Sequence, residues 1–331
     1  MKNKFMNHMF AMVTAVVTGI LAPAAMANAA NYPARPVVWI VPYSPGAATD
    51  ALARLLAEET SKHLNQSVVV ENQPGAATAT AAAQLKRAAP DGYRVMSADI
   101  TTLVFNPILR KNLAYDADKD FSMISMLARL PLVLVGRHDL PQDSLTQLLD
   151  FAKANPGQLT YASPGQGSPH HMAMEMLQSE AGVSLLHVPY SGTGPSMGDL
   201  LAGRIDLAFA SVGSVAPYLA AGKLKAYGIS MDKPFPTLPD IAPIHTLDDR
   251  LKSFEAYSWQ GLIAPANLPR AESEVLHNAI QAALQNPELI KKLEGLGLTA
   301  ESSTPEALRD YAENQRAIWA KIAQEKNIKL E

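Results

Sequence analysis

Apolar positions along the chain fall into two rhythms. Short β-branched or continuous apolar runs read as strands, several of them buried on both faces. They are Val37–Val41, Ser67–Glu71, Tyr93–Ala98, Leu130–Val135, Leu159–Ala162, Leu185–Val188, Ile205–Ala210 and Leu224–Ile229. Between them, apolar residues recur every third or fourth position, the mark of helices with one buried face. This predicts helices over about 50–64, 145–155 and 169–180, and an Ala-rich one from 76 to about 88. Near the C-terminus Val275, Leu276, Ala279, Ile280, Ala283 and Leu284 form one stripe. Thr304 and Pro305 offer an N-cap and N1 pair ahead of Leu308, Tyr311, Gln315, Ile318 and Ile322. The alternation of strand, turn and helix predicts an α/β fold with parallel pairing and right-handed crossovers.

Three strand-to-helix turns stand out: Pro42–Asp50, Asn72–Thr78 and Ser163–His171. Each follows a core strand, contains Pro and Gly, and opens a helix. In open α/β sheets ligands sit beyond the carboxyl ends of the strands. Free N–H groups at a helix start favour an anion. Gly46, Gly75, Gly165 and Gly167 let backbone approach a ligand, and Ser44, Thr49, Thr78, Ser163 and Ser168 add hydroxyl donors. Such turns can converge on one carboxylate without a Lys or Arg. Asp50 reads either as a helix N-cap or as a group that selects an amino or protonated ligand.

Composition narrows the class. The 331 residues are 48% apolar and 18% charged, with a formal net charge of −3 and no Lys/Arg run. That is a globular composition of about two domains and argues against nucleic acid as the main partner. The chain has no cysteine, which excludes disulfides, thiolate metal sites and a cysteine nucleophile. Lys2 and Lys4 precede an apolar run, Met9–Ala22, then Pro23 and a small-residue tail. Residues 1–29 therefore read as a secretory signal peptide, cut after Ala27 or Ala29, and the run is too short to cross a bilayer comfortably. Catalytic motifs are poor. Gly165-Gln-Gly-Ser168-Pro is not a nucleophile elbow, and His170, His171 and Glu175 lack an evident further metal ligand.

At these turns the chain resembles the Bug receptors, the periplasmic substrate-binding proteins of tripartite tricarboxylate transporters. The resemblance is collinear from about Tyr32 to Glu331. It rests on Tyr32-Pro-Ala-Arg-Pro36, Val41-Pro-Tyr-Ser-Pro-Gly46 with Thr49-Asp50, Val69-Val-Glu-Asn-Gln-Pro-Gly75, Ala89-Pro-Asp-Gly-Tyr93, Ala152-Lys-Ala-Asn-Pro-Gly157, Leu159-Thr-Tyr-Ala-Ser163, His187-Val-Pro-Tyr190, and Trp259 with Ala264-Pro265. It implies a two-lobed type II periplasmic-binding-protein-like fold, with a ligand cleft between the lobes. Lobe one would comprise 30–130 and 228–331, and lobe two 131–227, joined near Leu127–Val135 and Leu224–Ile229. Function would follow the family: an exported, monomeric receptor, not an enzyme, that captures a small organic carboxylate and delivers it to inner-membrane transporter subunits. No cofactor and no metal are implied. The family's cleft carries over to Tyr43, Ser44, Ala48 and Asp50, to Gly75 and Ala76, and to Ser163, Gly167, Ser168 and His171, with Tyr190 and Ser191 closing the far side. The chain departs from the family's more Gly-rich turns at Gly46-Ala-Ala48 and Gly75-Ala-Ala-Thr78, and it has Ala210 and Gln260 where an acid and an aromatic are common. A periplasmic hydrolase of carboxylate esters and a ligand sensor for a signalling partner are the alternative readings.

Overall fold

The computed structural model describes residues 32–46 and 48–330; the expected signal segment, 1–29, lies outside the described residues. The elements follow in chain order. The first stretch holds β1 (Val37–Val41), α1 (Ala48–Leu64), β2 (Val68–Asn72), α2 (Ala79–Leu85) and β3 (Arg94–Asp99). A π-helical turn (Thr101–Phe105) leads into α3 (Asn106–Leu109) and β4 (Phe121–Leu130). Then come β5 (Leu132–Arg137), α4 (Leu145–Ala154), β6 (Thr160–Ser163), α5 (Pro169–Ala181), β7 (Leu186–Pro189), α6 (Thr193–Leu201), β8 (Leu207–Ser211), α7 (Val212–Ala220) and β9 (Leu224–Ile229). The chain ends in β10 (Ser258–Pro265), α8 (Arg270–Ala283), α9 (Pro287–Gly295), β11 (Thr299–Ala300) and α10 (Pro305–Glu325).

Two sheets form, one per lobe. The first has the order β11-β4-β10-β3-β1-β2 and the second β7-β6-β8-β5-β9. Pairing is parallel from β2 through β1 to β3 and from β7 through β6 to β8. It is antiparallel wherever β4, β5, β9 or β10 takes part. The sheets are thus mixed rather than parallel. In the second sheet β5 runs against β8 and β9; in the first the reason is β10, a strand the periodicity does not show because Gln260 and Gly261 interrupt its apolar run. It enters the first sheet from the other lobe and runs against both neighbours. The expected strand Leu130–Val135 is likewise two strands. Pro131, which has no N–H to give a ladder, separates the end of β4 from the start of β5 and carries the chain to the second sheet.

The return crossing differs from expectation. β9 was expected to lead back into lobe one, but it is the edge of the second sheet, and the segment after it stays there. Ile229 bridges to Pro243, Phe254 stacks on Phe209 at 5.9 Å, and Arg250 pairs with Asp150 at 2.9 Å. The chain crosses back only at Tyr257–Ser258, where Ser258 registers with Leu130. The two crossings therefore lie side by side. Tyr257 and Arg129 mark them. The Arg129 guanidinium is bound by Glu301 and the Tyr257 hydroxyl, and it lies 4.6 Å over the Tyr257 ring.

Helices cover both faces of the first sheet. On one face Leu52 and Leu56 of α1 and Leu276 and Ile280 of α8 pack with Trp39, Val41 and Leu262. On the other, α2 and α10 pack with Ile40, Met96 and Ile263, and this core continues into the second lobe through Leu134, Tyr161 and Phe209. In α10 the buried stripe is Leu308, Ala312, Gln315, Trp319, Ile322 and Ala323. Ile318, expected on that stripe, is 39% exposed, and Trp319 takes the core position, edge-on to Phe105 at 5.4 Å.

Candidate ligand-binding site

Parallel pairing puts the carboxyl ends of β1, β2 and β3 on one edge of the first sheet, so the first two turns are neighbours by construction. In the first, Asp50 is the third residue of α1 and not its N-cap. Its Oδ2 accepts from the Gly46 N–H at 2.9 Å and from Arg54 Nε at 3.0 Å, and its Oδ1 from Asn72 Nδ2 at 2.8 Å. Burial opposes its charge, but the bonds from Arg54, Gly46 and Asn72 outweigh burial and hold the carboxyl down at about 2. Asn72 also donates to the Tyr43 carbonyl at 3.0 Å. The carboxylate is committed to bracing the turn, and its pairing with Arg54 and Asn72 explains why an acid can sit there buried.

A second buried network joins the two turns. The Tyr43 hydroxyl donates to Asp99, the last residue of β3. Asp99 Oδ1 accepts from the Thr102 N–H at 2.9 Å, and the Thr102 hydroxyl lies 2.9 Å from both Asp99 Oδ1 and Thr78 Oγ1. Asn106 Nδ2 donates to the Ala77 carbonyl at 2.7 Å. Burial pushes the Asp99 carboxyl up, and burial beside Asp99 pushes the Tyr43 phenol up. Beside this network the Gln260 amide donates to Thr49, while Gln260 Oε1 is enclosed without a hydrogen-bond partner.

The second turn differs from the helix start its Ala-rich sequence suggests. Ala76, Ala77 and Thr78 have φ of 46°, 49° and 74°, and α2 begins only at Ala79. Three successive left-handed residues without glycine cost about 1–2 kcal/mol each relative to the helical basin. The bonds from Asn106 to Ala77 and from Thr102 to Thr78 are tertiary contacts that outweigh helix propensity. Gly75, at φ 147°, precedes them, and a methyl added there would lie 2.8 Å from Thr80 Oγ1.

The third turn lies at the carboxyl end of β6, in the second sheet. Ser168 caps α5, its hydroxyl accepting from the His171 N–H at 3.3 Å. His171 is buried, and its Nδ1 accepts from the Gly167 N–H at 3.2 Å. That bond leaves the proton on Nε2, 3.8 Å from Glu175 Oε1. The imidazole stacks on His187 at 4.2 Å, which in turn stacks on Tyr161 at 4.7 Å. Burial and the neighbouring His187 push His171 down to about 3. Ser163 Oγ lies 2.7 Å from His187 Nε2 and 3.1 Å from the Gly165 carbonyl. Tyr190 donates its N–H to the Ser163 carbonyl at 2.9 Å and its hydroxyl to Asp199 at 2.7 Å.

The residues expected in the cleft thus separate into two kinds. Ser44, Ala48, Gly75, Ala76 and Ser191 are exposed on the turns. Tyr43, Asp50, Ser163, Ser168, His171 and Tyr190 place their polar groups on other protein groups and hold those turns in shape. Gly167 brings the third turn near the other two. A methyl added at Gly167 would lie 3.3 Å from Leu109 Cδ1, and Leu109 closes the short helix whose Asn106 holds the second turn. What the three turns present outward is backbone, the Ser44 hydroxyl, the Gln166 amide and small apolar side chains: the exposed residues, 44–46, 48, 74–77 and 166, include no ionised side chain. The arrangement can bind an anion by hydrogen bonding without neutralising it by a cation.

Sequence reasoning passed over the groups that connect the turns. Asn72, Asp99, Thr102, Asn106 and His187 lie at strand ends or beside apolar stretches, and of these only Asn72 belongs to a turn singled out above. Their one local signal is an Asn or Asp at the end of a β-run, as in Val68–Asn72 and Arg94–Asp99. Among the described residues, no group of three or more His, Cys, Asp or Glu is placed to hold a metal ion, and no helix is long and apolar enough to cross a membrane.

Comparison with known proteins agrees with this architecture. The family described as tripartite tricarboxylate transporter family receptor, TctC, matches residues 52–328. A Pseudomonas sp. (strain P51) protein named for the tcbD-tcbE intergenic region is 35% identical over 291 residues, 88% of this chain and 86% of that protein. The structure of the periplasmic binding protein BugD is 32% identical with a TM-score of 0.75, covering 91% of this chain and all of that one. R. palustris Rpa4515 with adipate is 28% identical with a TM-score of 0.78, over 90% of this chain and 99% of that one. MatC (Rpa3494) from Rhodopseudomonas palustris with bound malate is 30% identical with a TM-score of 0.74, over 88% of this chain and 99% of that one.

Proposed function

Because the chain belongs to the tripartite tricarboxylate transporter family of receptors, we propose that it is a periplasmic receptor that binds a small organic carboxylate between its lobes and hands it to membrane transporter subunits. The observation that carries this is the composition of the turns. Three preformed turns from two sheets offer backbone and hydroxyl groups with no ionised side chain among their exposed residues. A carboxylate can be held by such groups, and two related proteins hold malate and adipate. Ser168 is engaged with the start of α5, and Ser163, bonded to His187 and the Gly165 carbonyl, is buried and so not presented to a ligand. The reading is therefore binding without turnover, by a monomer needing no cofactor, exported by the signal segment 1–29.

The lobes in this reading are 30–130 with 258–331, and 131–257, since the return crossing falls at Tyr257–Ser258. A thermal-shift screen over mono-, di- and tricarboxylates tests the proposal. At a hundredfold excess over the dissociation constant, a bound carboxylate adds about 2.7 kcal/mol of stability, and mass spectrometry should recover it unchanged. No shift with any carboxylate, or conversion of the ligand, would contradict the proposal.

A further inference from the structure

The third turn is gripped from the other lobe by the end of the chain. α10 packs on the first sheet, yet its last residues reach α5 of the second: Ser179 Oγ donates to Glu325 Oε2 at 3.1 Å, and Lys326 Nζ stands 4.0 Å from Glu175 Oε2. Beyond the helix, Ile328 is buried, and Leu330 donates its N–H to the Leu109 carbonyl at 2.9 Å. The side chain of Leu330 then lies against Gly167. A methyl added at Gly167 would come within 2.9 Å of Leu330 Cδ1 and 3.3 Å of Leu109 Cδ1. Gly167 has φ 73° and is buried, so the turn presents bare backbone to a notch made by two leucines of the first lobe.

We propose that Glu325–Leu330 is a strap, and that Leu330 is a positioning residue of the ligand site, docking the third turn into the first lobe before any ligand binds. The contacts close a ring. Leu330 packs on Gly167, Gly167 donates to His171, His171 lies beside Glu175, and Glu175 faces Lys326 on the same strap. The link is separate from the two crossings at Pro131 and Tyr257–Ser258. It makes the spacing between the second and third turns a property of the resting protein. This rests on the reading of the three turns as the ligand site, but its first test needs no ligand.

Hydrogen exchange of the unliganded full chain is that test. In Leu330→Ala the amides of Gly165–His171 should exchange at least tenfold faster, while those of Gly46–Asp50 keep their wild-type rates. Leu330→Met, which refills the notch, should restore protection. The Gly167→Ala and Leu330→Ala effects on that exchange should also be non-additive, because a methyl at 167 competes for the space that Leu330 fills. Unchanged exchange in Leu330→Ala, or loosening spread evenly over the molecule, would overturn the strap. In a second measurement, the affinity for whichever carboxylate wild type binds should fall about tenfold in Leu330→Ala and recover in Leu330→Met. Wild type that binds no carboxylate contradicts the proposed function and leaves the exchange result to decide the strap.

Discussion

His171 shows how one residue's surroundings set a measurable property. Its ring accepts from Gly167, stacks on His187 and is held down at about 3, against an ordinary histidine value near 6.5. The folded protein therefore refuses a proton that the unfolded chain takes up. The stability this contributes is complete above pH 6.5 and is lost progressively as pH falls toward 3, with a slope of up to about 1.4 kcal/mol per pH unit. His170, whose Nδ1 is enclosed without a partner and which burial pushes down to about 4, adds in the same direction. Asp99 works oppositely, because its raised carboxyl takes a proton in the fold before it does in the unfolded chain. Urea midpoints of wild type and His171→Asn between pH 7.5 and 5 separate the contributions. The variant should be less stable at pH 7.5 and should lose stability more slowly on acidification. Parallel curves would mean that His171 is not the proton-refusing group. The histidine was visible in the sequence as a candidate beside the third turn. Its stacking on His187 was not, because that residue comes from β7, the neighbouring strand.

At the scale of elements, the helices with strong stripes and caps follow their sequences. Thr304 accepts from the Ala307 N–H at 3.1 Å, and Ser168 caps α5. The beginning of α2 does not, because tertiary bonds from Thr102 and Asn106 hold Ala77 and Thr78 in the left-handed region. Ala77→Gly should stabilise the protein by up to about 1 kcal/mol, since glycine carries no left-handed penalty and loses only part of that gain to its freer unfolded state. Ala83→Gly, inside α2, should instead destabilise by about 1 kcal/mol. Chemical denaturation of the two variants gives opposite signs if the turn is as described. Destabilisation by both would place Ala77 in the helix. No local pattern reveals such a segment, because an Ala-rich run reads as helix until its long-range partners are known.

At the scale of the molecule, the alternation of strands and helices and the three strand-to-helix turns were legible from apolar runs and from Pro and Gly punctuation, and the two lobes from the family resemblance. The mixed pairing, the late return crossing and the C-terminal strap were not. β10 and the strap owe their places to contacts with residues more than a hundred positions away, such as Ser258 with Leu130 and Leu330 with Leu109 and Gly167, and the segment before β10 owes its place to Phe209 and Asp150 of the second lobe. The central claim is that one carboxylate sits between turns of both lobes. A crystal structure of the protein with a carboxylate that raises its melting temperature tests this most directly. The account predicts carboxylate oxygens within hydrogen-bond distance of backbone N–H or hydroxyl groups from the Gly46 or Gly75 turn and from the Ser163–Ser168 turn together, with no arginine or lysine contact. A ligand bound to one lobe alone, or held by a cationic side chain away from these turns, would contradict it.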